Sequence, residues 1–327
     1  MLLVSFGGPE GMEDVLPFLE NVLRGKNVPR ERMLQVAKHY ELFGGISPIN
    51  EQNRKLIAAL EQKLATDGPQ LPIYFGNRNW HPLLPDTLEQ MRDDGIRNAL
   101  AFVTSAYSSY SSCRQYLENI ADARSLVGEG APLVEKIRAF YNHPLFIQAN
   151  VAQIKTALSG FPASSGAKPY LVFTAHSIPF SMAQNCEYES QLYETARLIA
   201  EALELQEWRL AFQSRSGPPT QPWLEPDVSD CLRELKNSGV DQVVIAPIGF
   251  VSDHMEVIYD LDMVARETCE QLGLDMRRAA TAGGHPLFIE MVRELILERT
   301  ESETPRRFLG DAPPNEERCF TNCCLQS

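Results

Sequence analysis

The sequence lacks long apolar runs, an excess of basic residues and a secretion signal. No window approaches the roughly 18 consecutive apolar residues of a membrane-spanning helix, so none is predicted. Lys and Arg number 30 against 43 Asp and Glu, and the net charge of -13 disfavours nucleic acid, because binding phosphates needs a positive surface. The start, MLLVSFGGPE, lacks the basic stretch that precedes the apolar residues of a secretion signal, so none is predicted. We therefore expect a cytoplasmic protein with reduced cysteines.

Several common catalytic motifs are absent as well. The chain contains no HExxH, P-loop, GxSxG or EF-hand pattern, and its GGPEG turn lacks the full spacing of a dinucleotide-binding loop. Catalytic and binding residues are therefore predicted from single side chains and their positions in the predicted fold.

The patterning predicts an α/β fold in more than one domain. A length of 327 residues suits two domains of roughly 150 residues each. Short apolar runs alternate with amphipathic stretches, which is typical of a parallel sheet covered by helices. The predicted strands are LLVSF, IYFG, ALAFVTSAY, YLVFTAHS, RLAFQS and QVVIAPIGF.

The chain also repeats itself. Residues 91–103 resemble residues 235–247, and the pentapeptide HPLFI occurs at His143 and again at His285. Two copies of one α/β unit explain both matches. A polar linker at 159–168 and a loss of periodicity beyond Thr300 suggest domains at 1–160 and 161–300 and an extension at 301–327.

Ligands of such folds bind at the carboxyl ends of the strands, and two of these ends carry suitable side chains. His176 directly follows an apolar strand. If a helix begins near Ser252, Glu256 and Asp260 share one face, one turn after Asp253. A structural histidine and a solvated acidic face remain the alternatives. Together His176 and Glu256 suit a first-row divalent ion or proton transfer near neutral pH.

The chain resembles the ferrochelatases, and most closely their actinobacterial type, over nearly its whole length. The resemblance rests on LLVSFGGPEG, HYELFGGISPIN, YFGNRNWHP, SAYSSYSSC, FTAHSIP, QSRSGPPTQPWLEPD and PIGFVSDHMEVIYDLD, which occur in that order. It implies two pseudo-duplicated Rossmann-like, chelatase-type domains with parallel sheets and a cleft between them for a tetrapyrrole. The implied activity is insertion of Fe²⁺ into a porphyrin in haem biosynthesis, with coproporphyrin III favoured over protoporphyrin IX.

The resemblance also implies roles for the acidic and histidine residues. His176 takes pyrrole protons or ligates the incoming iron, and Glu256 and Asp260 pass on metal or protons. His176 and Glu256 are expected to face each other across the macrocycle. Asp253 and His254 are expected to orient this group rather than bind the metal.

Four further residues match family positions that contact the tetrapyrrole or its propionates. Arg78 is a natural partner for a propionate carboxylate, and Ser47 and Tyr110 match tetrapyrrole contacts. Phe6 stands where some relatives carry Met or Tyr, so it can pack against the ring but cannot ligate iron. Purely structural roles are the alternatives for three of them: a turn serine for Ser47, a buried tyrosine for Tyr110 and an ion pair at the rim of the cleft for Arg78.

Some members of the family bind a [2Fe–2S] cluster through one internal and three C-terminal cysteines. The matching residues are Cys113, Cys319, Cys323 and Cys324, and four thiolates is the number that such a cluster needs. A zinc site and an unliganded tail are the alternatives. The remaining cysteines lie in or beside helical stretches and are predicted to be core or surface residues: Cys186, Cys231 and Cys269.

Two other functions remain open from the sequence. One is a cobalt or nickel chelatase of the same fold, although such chains tend to offer paired histidines to the metal. The other is a haem-binding carrier or an iron–sulfur electron-transfer protein, which would not need the acidic residues Glu256 and Asp260. The expected partners are the porphyrin, Fe²⁺ and, transiently, neighbouring enzymes of the haem pathway.

Overall fold

A computed structural model describes residues 1–26, 28–162, 169–218, 220–315 and 323–325. The described chain divides into two compact units. The first unit comprises Met1–Thr104, Gln115–Ile137 and Ser252–Met255, and the second comprises Ser105–Arg114, Arg138–Val251 and Glu256–Ser327. The domain boundary near residue 160 and the separate extension remain predictions.

The first unit is built on a parallel sheet of four strands in the order β2-β1-β3-β4. The strands are β1 (Leu2–Ser5), β2 (Tyr74–Asn77), β3 (Asn98–Val103) and β4 (Leu133–Lys136). The helices are α1 (Met12–Val22), α2 (Arg30–Glu41), α3 (Ile49–Asp67), α4 (Leu84–Asp93) and α5 (Gln115–Val127). Leu84, Leu88 and Met91 of α4 pack on the apolar side chains of β1 and β3, because their helical spacing places them on one face.

The second unit repeats this plan with a parallel sheet in the order β6-β5-β7-β8. Its strands are β5 (Tyr170–His176), β6 (Trp208–Gln213), β7 (Gln242–Ala246) and β8 (Asp275–Arg278). Its α-helices are α6 (Pro144–Leu158), α7 (Phe180–Ala183), α8 (Tyr188–Ala202), α9 (Val228–Asn237), α11 (Arg266–Leu272) and α12 (Pro286–Thr300), together with α10 (Met255–Val257), whose first residue is grouped with the first unit. Two π-helical segments are π1 (Tyr110–Arg114) and π2 (Ile258–Ala265), and a short 3₁₀ turn spans Ala282–Gly284.

Corresponding turns confirm the internal repeat. Gly95 and Gly239 both end a helix with positive φ, at 77° and 91°, where glycine is favoured because it has no Cβ. The ring nitrogen Nδ1 of His143 accepts from the third residue of its HPLFI motif, and His285 does the same, at 3.3 and 3.2 Å. The two motifs therefore start α6 and α12 in the same way.

The predicted parallel α/β architecture is confirmed, but two strands were not predicted from the sequence. β4 and β8 lie at the sheet edges and carry charged residues in LVEK and DMRR, so they lack the apolar runs of the inner strands. Among the described residues, no helix has both the length and the apolar character that a bilayer crossing requires.

One ion pair of the second unit is almost fully buried. The guanidinium of Arg138 donates to both carboxylate oxygens of Glu298 at 2.7 and 2.9 Å, and the two side chains are 2% and 3% exposed. Arg138 also donates to the carbonyl oxygen of Arg307 at 3.0 Å. The pair therefore links α12 to the segment that follows it.

We expect Glu298→Ala to lower the free energy of unfolding by about 3 to 5 kcal/mol, because it leaves the buried charge of Arg138 without its carboxylate. Glu51→Ala is the matched control, since Glu51 pairs with Lys55 on the surface and both side chains are about 70% exposed. Denaturant titration measures both variants. Equal, small losses for the two glutamates would contradict the prediction.

Candidate active site

His176 is the last residue of β5, and the neighbouring backbone orients its ring. Nδ1 contacts the carbonyl oxygen of Ser177, which can only accept, so Nδ1 carries the proton. Nε2 is thereby directed at the carboxylate of Glu256, 3.4 Å away. The hydroxyl of Tyr188 donates to the carbonyl oxygen of His176 at 3.1 Å and holds the strand end.

The surroundings make His176 a stronger base than an ordinary histidine. Burial by itself lowers the pKa of His176. The hydrogen bond and the charge of Glu256 act in the opposite direction, with smaller contributions from the Ser177 carbonyl and Asp260, and the pKa is raised overall. An imidazole tuned in this way can accept protons near neutral pH.

His176 and Glu256 lie side by side. Their separation of 3.4 Å leaves no room for a planar macrocycle between them. A contact this short favours one face of a ring over the predicted opposite faces. Both side chains are accessible, with exposed fractions of 32% and 50%.

The helix that carries the acidic residues begins at Met255 rather than near Ser252, and it changes form before Asp260. Glu256 lies in α10 and Asp260 in π2, where the hydrogen-bonding pattern widens from i→i+4 to i→i+5. The side-chain amide of Gln213 reaches both, at 3.4 Å from the Glu256 carbonyl oxygen and 3.4 Å from the Asp260 carboxylate. The two acidic residues therefore share one environment.

Asp260 is the acidic residue whose pKa changes most. Burial raises its pKa from 3.8 to about 6, a hydrogen bond from the Ser214 hydroxyl opposes this rise, and the charge of Glu256 adds to it. A carboxyl group with this pKa exchanges protons readily near neutral pH.

Ser214 is a site residue that sequence reasoning missed, although it is the last residue of the predicted strand RLAFQS. Its φ of 61° lies in the left-handed region, which costs a residue with a Cβ about 1 to 2 kcal/mol. The hydrogen bond of its hydroxyl to Asp260 offsets part of this cost. Strained backbone of this kind is concentrated at functional sites.

In the first unit, Arg78 is held by three neighbours. Its Nε donates to the side-chain oxygen of Asn119 at 2.7 Å. Its guanidinium carbon lies 4.6 Å from the ring centre of Tyr116 and 5.5 Å from that of Phe6. The predicted residues Phe6 and Arg78 are thus in contact, whereas Tyr116 and Asn119 were not predicted from the sequence.

The other predicted tetrapyrrole contacts lie in different surroundings. Ser47 is only 3% exposed, and its N–H donates to the carbonyl oxygen of Pro9 at 2.9 Å. A Cβ at Gly8 would lie 2.7 Å from that of Ser47, so glycine is needed there for packing. Tyr110 is the half-buried first residue of π1.

Asp253 and His254 belong to the short segment Ser252–Met255, which groups with the first unit. The backbone N–H of Asp253 donates to the side-chain oxygen of Gln52 in α3 at 2.9 Å. Their role in orienting Glu256 remains a prediction.

Two of the three C-terminal cysteines are described, and Cys319 lies outside the described residues. The sulfurs of Cys323 and Cys324 are 3.5 Å apart, and Cys113 in π1 is 4% exposed. Within the described ranges, no three Cys, His, Asp or Glu side chains are grouped closely enough to hold a metal ion. Cys231 and Cys269 are core residues, as predicted.

Comparison with known proteins gives one consistent result. The family model described as Ferrochelatase matches residues 1–300. A ferrochelatase of Rhodopirellula baltica is 57% identical over 99% of this chain and 92% of its own length. A coproporphyrin III ferrochelatase of Nocardia farcinica is 48% identical, over 99% and 96%.

The solved structures that resemble the chain support its fold. SirB from Bacillus subtilis, solved with Fe³⁺, superimposes with a TM-score of 0.55 at 14% identity, over 94% of this chain and 98% of SirB. At this identity the likeness concerns the architecture alone.

We expect the buried Asp260 to make stability depend on pH. Its pKa of about 6 in the folded protein exceeds the ordinary 3.8, so between these values the folded chain keeps a proton that the unfolded chain has released. The free energy of unfolding should therefore fall as the pH rises through this window, by at most about 3 kcal/mol. Asp260→Asn should remove this fall, as measured by denaturant unfolding from pH 4 to pH 8.

Ser214→Ala tests the direction in which the serine hydroxyl shifts the pKa of Asp260. Because the serine hydroxyl lowers the pKa of Asp260, its loss should extend the fall in stability above pH 6. If the free energy of unfolding of Asp260→Asn changes with pH in parallel with that of the unaltered protein, Asp260 is not the group responsible for the fall in stability.

Proposed function

The chain belongs to the ferrochelatase family and inserts Fe²⁺ into a porphyrin in haem biosynthesis, and we propose that His176 and Glu256 handle the metal and the pyrrole protons. The enzyme is a porphyrin metal chelatase of the lyase class. The observation that carries the proposal is the 3.4 Å contact of the two side chains at the end of β5.

The reaction needs a base close to the ring. Four pyrrole nitrogens bind Fe²⁺ only when two of them release their protons and the aquo-ion sheds water. The raised pKa of His176 supports its role as proton acceptor. The half-exposed carboxylate of Glu256 can take the proton or bind the incoming iron, and Asp260 passes protons onward through its pKa of about 6.

We propose that both residues act on one face of the porphyrin. Because His176 and Glu256 are in contact, proton removal and iron delivery would use the same side of the ring. A carboxylate beside the imidazole also stabilises the imidazolium that forms when a pyrrole proton is transferred.

The porphyrin is proposed to contact Phe6, Ser47, Arg78 and Tyr110. Arg78 is the best supported of the four, because Asn119 and two aromatic rings hold its guanidinium plane in one orientation. A guanidinium fixed in this way loses little side-chain entropy when it binds a propionate. Binding energy from such remote groups can be used to bend the macrocycle so that its nitrogens point toward the metal.

We infer that the substrate is coproporphyrin III, with protoporphyrin IX as the second candidate. The relatives from Nocardia farcinica and Streptomyces coelicolor, both 48% identical to the chain, are coproporphyrin III ferrochelatases. Coproporphyrin III carries four propionates and protoporphyrin IX two, so the first offers more partners to Arg78 and other basic groups. Cytoplasmic residence and transient contact with neighbouring haem-pathway enzymes belong to the same proposal.

A [2Fe–2S] cluster bound by Cys113, Cys319, Cys323 and Cys324 is also proposed. The chain supplies the number of thiolates that such a cluster needs, which is four. Two of these sulfurs, from Cys323 and Cys324, lie 3.5 Å apart. When bound, the cluster would supply one-electron redox chemistry near the C-terminus.

We expect His176→Ala and Glu256→Gln each to lower kcat for Fe²⁺ insertion by at least about 100-fold, because general acid–base catalysis contributes about 10² to 10⁴. The assay follows the loss of porphyrin fluorescence under anaerobic conditions.

His39→Ala and Glu267→Gln are the matched controls and should keep full activity. His39 lies in α2, and exposed Glu267 in α11 accepts a hydrogen bond from the side-chain amide of Gln271 at 3.2 Å. Full rates for both His176→Ala and Glu256→Gln would rule out the mechanism.

We expect a higher kcat/KM for coproporphyrin III than for protoporphyrin IX, and a rise in KM of about 10- to 100-fold in Arg78→Ala, because a hydrogen bond to a charged group contributes about 1.5 to 3 kcal/mol. Arg277→Ala is the control, since Arg277 also stacks on an aromatic ring, 4.9 Å from the centre of Phe161. A KM for Arg78→Ala equal to that of the control would remove Arg78 from the proposed site.

A further inference from the structure

One face of the second sheet packs against π2, and it is apolar beneath the site. Val172 in β5 and Ala211 in β6 belong to the same buried cluster as Leu261 of π2. Side chains two residues apart in a strand point to the same face of the sheet. The next side chains on this face towards the carboxyl ends of β5 and β6 are therefore those of Thr174 and Gln213.

Two polar atoms on this face are buried without a partner. Among the residues that the structure describes, neither the Thr174 hydroxyl nor the side-chain oxygen of Gln213 forms a hydrogen bond. Thr174 is 0% exposed and Gln213 is 1% exposed. The two side chains are diagonal neighbours across the strands, because Thr174 lies opposite Ala211 and His176 lies opposite Gln213.

The hydrogen-bonding needs of these two atoms are complementary. The amide nitrogen of Gln213 faces the carbonyl oxygen of Glu256 and the carboxylate of Asp260, each at 3.4 Å, and a carbonyl oxygen can only accept. This use of the nitrogen leaves the amide oxygen of Gln213 to a different donor. The Thr174 hydroxyl can donate, and rotation about a single bond changes the direction in which it does so.

An unpartnered hydroxyl at position 174 costs stability. Valine has nearly the same shape as threonine and would extend the apolar face to which Val172 belongs. A buried hydroxyl without a hydrogen bond loses its hydration and gains nothing in return, so valine would make the fold more stable. Departures of this kind from the most stable sequence are expected at functional sites.

We propose that Thr174 and Gln213 are positioning residues for iron insertion: the Thr174 hydroxyl holds the Gln213 amide, and the amide holds the backbone of Glu256 and the carboxylate of Asp260. This role rests on the proposed function of His176 and Glu256. The two bonds of the amide nitrogen, at 3.4 Å, are longer than the usual limit of about 3.2 Å, and bonds at catalytic sites often tighten only when substrate is bound. Because Glu256 contacts His176, a displaced amide would change the separation of the two groups that handle iron and protons.

The test combines kinetics with denaturant unfolding of full-length variants. Thr174→Val removes the hydroxyl and keeps the shape, Thr174→Ser keeps the hydroxyl and removes a methyl group, and Gln213→Met removes the amide. Thr195→Val is the matched control, because the buried Thr195 hydroxyl donates to the carbonyl oxygens of Tyr141 and Gln191 at 2.8 and 3.0 Å. The anaerobic loss of porphyrin fluorescence gives kcat and KM.

We expect Thr174→Val to unfold at a higher denaturant concentration than the unaltered protein and to lose at least about 10-fold in kcat, with an unchanged KM for the porphyrin. Thr174→Ser should show the reverse, with an unchanged kcat and a lower midpoint of unfolding, because the lost methyl group leaves a cavity. Gln213→Met should lose kcat as Thr174→Val does. The control should lose stability and keep its kcat, since its hydroxyl has partners.

A purely structural role would make kcat follow stability across the series, and this result would overturn the inference. Full kcat in Thr174→Val or in Gln213→Met would overturn it too, as would equal losses of kcat in Thr174→Val and Thr174→Ser. His176→Ala and Glu256→Gln are assayed alongside. If these two lose activity and Thr174→Val does not, the positioning role alone is rejected, whereas full rates for both reject the proposed function itself.

Discussion

The hydrogen bonding of β5 on both sides is the constraint on which the site of the second unit depends. β5 pairs with β6 along its length, which sets His176 opposite Gln213, and with β7 on its other side. Beyond β7, the N–H of Gly249 donates to the carbonyl oxygen of Thr174 at 3.0 Å. A Cβ at Gly249 would lie 2.5 Å from that of Ala175, so only glycine allows this approach. Because the carboxyl ends of parallel strands lie at the same edge of a sheet, His176 and Gln213 lie next to each other at that edge.

The electrostatics of the site follow from this placement. Gln213 and Ser214 continue β6 past its end and hold Asp260, while Glu256 contacts His176. Burial raises the pKa of the Asp260 carboxyl group to about 6, and the carboxylate of Glu256 raises the basicity of the imidazole. Two acidic groups with different surroundings can therefore take different parts in one proton transfer.

The C-terminal segment is part of the second unit through contacts that are costly to break. Arg138 binds Glu298 and the carbonyl oxygen of Arg307, and the backbone of Asn142 accepts from Leu309 at 2.9 Å. Asn315 then joins the segment to Ser108. Buried ionic and amide contacts define the path of the chain even where few apolar residues are available, because an unpaired buried charge costs several kcal/mol.

The sequence by itself determined the inner strands, the repeat and the importance of His176 and Glu256. Apolar runs mark strands that are buried on both faces, and strand ends carry the ligand-binding residues of such folds. The edge strands β4 and β8 could not be read in this way, because their solvent-facing residues are charged. Only the tertiary structure decided that His176 contacts Glu256, that Ser214 holds Asp260 and that Asn119 orients Arg78. These partners lie 80, 46 and 41 residues apart in the chain. Their separations and pKa shifts arise from packing and desolvation, which no local pattern of residues records.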